Sequence, residues 1–150
     1  MKKTLSVILF SISFFILFNA SLAAHCQIPC GIYDDEARIT MLQEHATTIE
    51  KSMREINNLE KAEPGNANQL IRWVMNKEHH ADEIQEIVTQ YFMTQRIKPE
   101  DQNYEKKITT LHQMLIAAMK CKQTTDEANV AKLRKLFDEF HGLYFVEHTH

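Results

Sequence analysis

Glycine, proline and cysteine are scarce, three of each in 150 residues, and there is a single tryptophan. So few chain breakers exclude a fold made of many tight turns, and no segment alternates apolar with polar residues for the length of a half-buried strand. Three cysteines argue against a disulfide scaffold, which carries an even number in a longer pattern. Two of them, Cys26 and Cys30, lie close together and point to chemistry or a metal; Cys121 stands alone and reads as a small apolar filler. Charge of neither sign dominates: 17 basic and 20 acidic side chains leave a formal net charge of −3. That balance offers no general reason to bind nucleic acid or an anionic membrane. Beyond residue 24 no run is apolar for long enough to cross a bilayer.

What is present begins with a leader. Lys2 and Lys3 precede an apolar run from Leu5 to Leu17, and small residues follow through Asn19-Ala20-Ser21-Leu22-Ala23-Ala24. This is the layout of a secretory signal peptide over residues 1–24, with a membrane anchor as the competing reading. Its removal takes two lysines and no acid, shifts the formal charge from −3 to −5 and leaves residues 25–150 as one exported, soluble domain. The expected location is periplasmic or secreted, and no twin arginine marks another route. Cleavage after Ala24 exposes His25. Cleavage after Ala23 fits small-residue rules slightly better and leaves Ala24 in front.

The six glycines and prolines sit where helices are expected to stop: Pro29 and Gly31, Pro64 and Gly65, Pro99, and Gly142. Four amphipathic segments lie between them. Residues 35–59 carry Ile39, Leu42, Ala46, Ile49, Met53 and Ile56 on one stripe; residues 68–95 carry Ile71, Val74, Ala81, Ile84, Val88 and Tyr91. Residues 101–122 carry Ile108, Leu111, Leu115 and Ala118. A fourth helix starts at Thr124, which has capping-box spacing to Glu127, and carries Val130, Leu133, Phe137 and Phe140. Each stripe needs cover from the others, so the expected fold is all-α, an antiparallel four-helix bundle. The methionines at 41, 53, 75, 93, 114 and 119 read as core filler.

Chemistry concentrates in His25-Cys26-Gln27-Ile28-Pro29-Cys30-Gly31-Ile32-Tyr33. A cut before His25 creates a free α-amine, whose ordinary pKa of about 7.7–8.0 makes it easy for a metal to deprotonate near neutrality. The Cys26 amide nitrogen and thiolate and the Cys30 thiolate complete a four-donor plane, and the His25 imidazole can reach an axial position. Planar nitrogen and sulfur donors fit nickel or copper rather than tetrahedral zinc. Thiolates reduce copper(II), whereas anionic sulfur and amidate donors support nickel(II) and nickel(III), the one-electron couple that superoxide disproportionation requires.

His-Cys-x-x-Pro-Cys-Gly-x-Tyr at a processed N-terminus closely resembles the nickel hook of the nickel superoxide dismutases. The resemblance implies a four-helix bundle over residues 25–150, one nickel ion per subunit, superoxide as substrate and a homohexamer. It implies that His25 gives amine and imidazole, Cys26 amide and thiolate, and Cys30 thiolate, with Tyr33 beside the open face ordering small anions or water. Tyr91-Phe92 resembles a Tyr-Phe pair whose tyrosine approaches the site. Two departures stand out. Gln27 replaces an acid found in some members. The glutamate and arginine that support the axial imidazole in relatives fall here near Thr40 and near Asn76 or Lys77, which makes Glu44 and Arg72 the nearby candidates.

Blander readings compete. A Cys26–Cys30 disulfide or a zinc clip would use the same thiols. His79 and His80, in a charged run with Glu83, read as surface or interface residues, and Asp138 with His141 is weak support for a di-iron pair. The tail with His148 and His150 offers only adventitious metal binding. Two function classes follow: a redox enzyme, or an exported helical metal-binding or thiol-sensing protein without turnover.

Overall fold

A computed structural model describes residues 33–61 and 65–145. Asp34 opens the first helix, α1 (Asp35–Glu60), by accepting the Ala37 N–H at 2.9 Å, and Asp35 and Glu36 place negative charge where the helix dipole favours it. After the turn at Gly65, whose φ of 139° suits glycine, α2 (Ala67–Glu86) runs antiparallel to α1. It passes without a break into a π-helical segment (Ile87–Arg96). A turn containing Pro99 leads to α3 (Tyr104–Gln123), and α4 (Ala128–Phe145) closes the ring. Among the described residues there is no strand, and no helix is long and apolar enough to cross a membrane.

Cross-links fix the antiparallel register. Asn76 donates to Ser52 Oγ at 3.0 Å between α2 and α1, and Gln85 donates to the Leu115 carbonyl at 3.3 Å between α2 and α3. Arg134 of α4 reaches Glu50 of α1 at 3.2 Å. The interior is the expected seam: Leu42, Ala46, Ile49, Met53, Ile84, Val88, Leu111, Met114, Ala118, Leu133, Phe137 and Phe140 are buried in one cluster. Lys77 enters it from α2. Its ammonium donates to the carbonyls of Cys121 (2.7 Å) and Lys122, satisfying acceptors that the end of α3 leaves without helical partners.

Four expectations need correction. The stripe of the second helix does not stay buried along its length: Ile71 is 59% exposed, and Val74 and Met75 are exposed with it. Met119 is also exposed, so the methionines are core filler only at 41, 53, 93 and 114. Gly142 does not stop the last helix, which continues to Phe145 and buries Tyr144. Burial of that tyrosine outweighs the roughly 0.5–1 kcal/mol that a mid-helix glycine costs. Finally, no capping box forms at Thr124. Asp126 accepts the Ala128 N–H at 2.9 Å instead, while Glu127 turns to Arg54 on α1 at 3.1 Å.

The candidate metal centre and the tyrosine cluster

His25, Cys26 and Cys30 lie outside the described residues. Tyr33 is the member of the nine-residue motif that is described, and it opens onto a cluster gathered from three helices. Asp35, in the first turn of α1, holds it together. Tyr91 donates its hydroxyl to Asp35 Oδ1 at 2.6 Å, and Tyr144 donates to Oδ2 at 2.8 Å. Arg96, the last residue of the π segment, grips the same carboxylate through Nε (2.9 Å) and Nη2 (2.7 Å). This two-point contact fits a planar guanidinium to a planar carboxylate. The Arg96 guanidinium also lies 4.4 Å from the centre of the Tyr33 ring, and Tyr33 meets Tyr91 edge-on with ring centres 6.0 Å apart. Arg38, one turn into α1, covers the Tyr91 ring at 4.9 Å.

Titration follows from this wiring. Burial would raise the Asp35 carboxyl, but the hydrogen bonds from Arg96, Tyr91 and Tyr144 outweigh it and hold the group below the usual carboxylate range. Burial, and donation to the Asp35 anion, push the Tyr91 phenol up to about 12, and the Tyr144 phenol moves further in the same direction for the same reasons. Both phenols therefore keep their protons at any physiological pH. Behind them Phe92 stacks edge-on against Tyr91, Phe140 and Tyr144, so the aromatic floor is continuous with the core.

The π segment sets this geometry. At its end the Ile97 N–H donates to the Phe92 carbonyl five residues back, and the side chains of Thr94 (Oγ1) and Gln95 (Nε2) donate to the carbonyls of Thr89 and Gln90. The wider turn lets both Tyr91 and Phe92 face inward while Arg96 reaches Asp35. Such segments favour functional sites.

The residues expected to support the axial imidazole behave differently. Glu44 and Arg72 are both exposed. Since His45 stands opposite His80, Arg72 lies about two and a half turns, roughly 13 Å, nearer the start of α2 than the level of Glu44. Thr40 is exposed, Asn76 is tied to Ser52, and Lys77 is committed to α3. Beside Tyr33 the described residues build a different acid–arginine pair, Asp35–Arg96, which the sequence does not single out. Asp138 and His141 do not act as a pair: Asp138 accepts from Gln43 at 3.4 Å and His141 meets Glu36 at 3.1 Å.

A family model described as nickel-containing superoxide dismutase matches residues 20–148, covering the motif and the whole described bundle. The chain belongs to the nickel-containing superoxide dismutases. Searches of curated proteins and of solved structures return no significant match. Membership makes this chain an oxidoreductase that acts on superoxide with one nickel ion per subunit, and nothing supports the reading without turnover. The cysteines fit that ion. Cys121 is completely buried, and burial pushes its thiol up to about 11, so it stays protonated in the core. That leaves Cys26 and Cys30, which lie outside the described residues, as the other thiols of the chain.

Proposed function

We propose that His25, Cys26 and Cys30 hold the nickel, with Tyr33 ordering water or a small anion beside it. The observation that carries the assignment is the burial of Cys121, which leaves the motif as the source of thiolate. In this reading His25 contributes its amine and imidazole, Cys26 its amide nitrogen and thiolate, and Cys30 its thiolate. When bound, the nickel supplies the one-electron couple by which superoxide becomes dioxygen and hydrogen peroxide.

The chain's own residues then have three tasks. The thiolates and nitrogens bind the ion. Asp35 and Arg96 fix Tyr91 and Tyr33, so the polar groups around Tyr33 are arranged before substrate arrives. Arg38, whose guanidinium donates only to the Met41 sulfur at 3.6 Å among its described hydrogen bonds, supplies positive charge in a chain of net negative charge. That charge favours approach of an anionic substrate. Tyr91 is not the source of the protons that peroxide needs, since its hydroxyl is committed to Asp35.

The proposal includes export: residues 1–24 act as a cleaved signal peptide, loading follows cleavage because the His25 amine exists only then, and the enzyme works in the periplasm or outside the cell. It also includes a homohexamer. The exposed Ile71, Val74 and Met75 form an apolar patch at i, i+3 and i+4 on α2, the kind of surface that subunit contacts cover. A Cys26→Ser variant tests the ligand assignment: loss of nickel and of dismutation with helical content unchanged supports it. Retained nickel and activity would refute it, as would loss of both on Cys121→Ala in a folded chain.

A further inference from the structure

The antiparallel register of α1 and α2 places His45 opposite His80, and the two imidazoles meet directly. Their Nδ1 atoms are 2.7 Å apart, with ring centres 5.0 Å apart and planes inclined at 48°. One proton lies between the two nitrogens, so one ring donates and the other accepts. The remaining ring nitrogen of His45, Nε2, is buried with no hydrogen-bond partner.

Charge around the pair is one-sided. From α2, Glu83 acts on both rings, and from α1, Glu44 acts on His45. His79 packs edge-on to His80 at 5.4 Å and lies 3.8 Å from Glu83. Burial, the first cause in each case, moves both imidazoles below the ordinary histidine range, against the pull of the carboxylates. Both rings are therefore neutral near pH 7, the form that ligates metals.

We infer that His45 and His80 form a two-imidazole site for a divalent transition ion of the zinc or copper class, bridging α1 and α2. Two nitrogens on one such ion, each at about 2.0–2.1 Å, stand about 2.9–3.4 Å apart. The pair needs to open by only a few tenths of an ångström from 2.7 Å. The ion takes the place of the shared proton, and the donating ring carries that proton at Nε2 instead, so no net proton is lost. Glu44 and Glu83 offset the added charge. Among the described residues no third His, Cys, Asp or Glu joins the pair as a ready ligand. Water fills the other positions, and binding is weaker than at a site with three or four protein donors. The site uses none of His25, Cys26 or Cys30.

The test is a zinc titration of the full purified chain carrying Cys26→Ser and Cys30→Ser, so that the hook thiolates do not compete. Calorimetry gives the affinity, and nitrogen-15 spectra of the histidine rings give the location. The expected result is one zinc ion per chain, shifts at the His45 and His80 ring nitrogens, and at least tenfold weaker binding in His80→Ala. Altering an outer-shell partner of a metal already costs about 10–100-fold, and a ligand should cost no less. His80 is only half-buried, so its alanine variant is expected to fold, and His80→Gln provides a second test if it does not. No binding, unchanged affinity in the folded His80 variant, or shifts confined to His112, His148 or His150 would overturn the inference.

Discussion

Replacing Asp35 with alanine removes the acceptor of four hydrogen bonds at once, two of them from Arg96 and one each from Tyr91 and Tyr144. Breaking a buried ion pair by deleting one partner costs about 3–5 kcal/mol. Here Asp35 and Arg96 keep 14% and 25% of their side chains exposed, so water partly compensates and about 2–3 kcal/mol is the better figure. For a domain of this size that lowers Tm by about 6–15 °C. The neighbouring acids are internal standards. Asp34 caps α1 and should cost about 1 kcal/mol on removal. Exposed Glu36, paired with His141, should cost at most about 0.5 kcal/mol. Thermal unfolding of the three alanine variants, with near-ultraviolet circular dichroism to follow the tyrosines, should rank them Asp35, Asp34, Glu36. The pH dependence has a defined sign. The Asp35 carboxyl is held below its unfolded value, so its stabilisation is present above about pH 4 and disappears as pH falls through the lowered folded pKa. Asp35→Asn should flatten that acid limb. A Tm within about 2 °C of the parent for Asp35→Ala, well short of the expected drop, would mean that the cluster does not organise this end of the bundle.

Further outcomes follow from the same structure. Lys77→Ala leaves the carbonyls of Cys121 and Lys122 without their donor and should destabilise by about 2 kcal/mol in urea titrations, with nickel content unchanged. Gly142→Ala, at an exposed helical position with open space around the new Cβ, should stabilise by about 0.5–1 kcal/mol. Arg38→Ala should lower kcat/KM a few-fold at low salt and less at high salt, since one solvated unit charge near an anion's path is worth up to about 1 kcal/mol and is screened by ions. Arg38→Lys should restore it, and an unchanged rate in Arg38→Ala would remove the residue from substrate guidance. Ile71→Glu with Met75→Glu should shift sedimentation toward smaller species while helical content is kept; an unchanged profile would place the subunit contacts elsewhere.

Much of the bundle is legible in the sequence because α1 and α4 bury their stripes almost completely and α3 buries Leu111 and Ala118, leaving Ile108 and Leu115 partly exposed at the edge of the core. Ile39 through Ile56, Leu111 and Ala118, and Val130 through Phe140 lie where a 3.6-residue period places them. The second helix departs for two reasons. Periodicity reports that residues share a face, not that another element covers it, so Ile71 and Val74 continue the stripe without reaching the core. Periodicity also cannot distinguish an α turn from the wider turns of residues 87–96, although the consecutive buried pairs Ile87-Val88 and Tyr91-Phe92 are what such turns allow. Around the site, the motif names its donors by residue type and spacing. The Asp35–Arg96–Tyr144 cluster joins positions up to 109 residues apart, and only the folded register brings them together. Gly142 has the character of a stop signal and conceals the burial of Tyr144 just beyond it.

The most direct measurement is intact mass and metal content of the active protein purified from its natural source. The account predicts a chain that begins at His25, carries one nickel ion and has Cys26 and Cys30 unlinked. A chain that destroys superoxide while beginning at Ala24 or earlier, or while holding a Cys26–Cys30 disulfide, would contradict it.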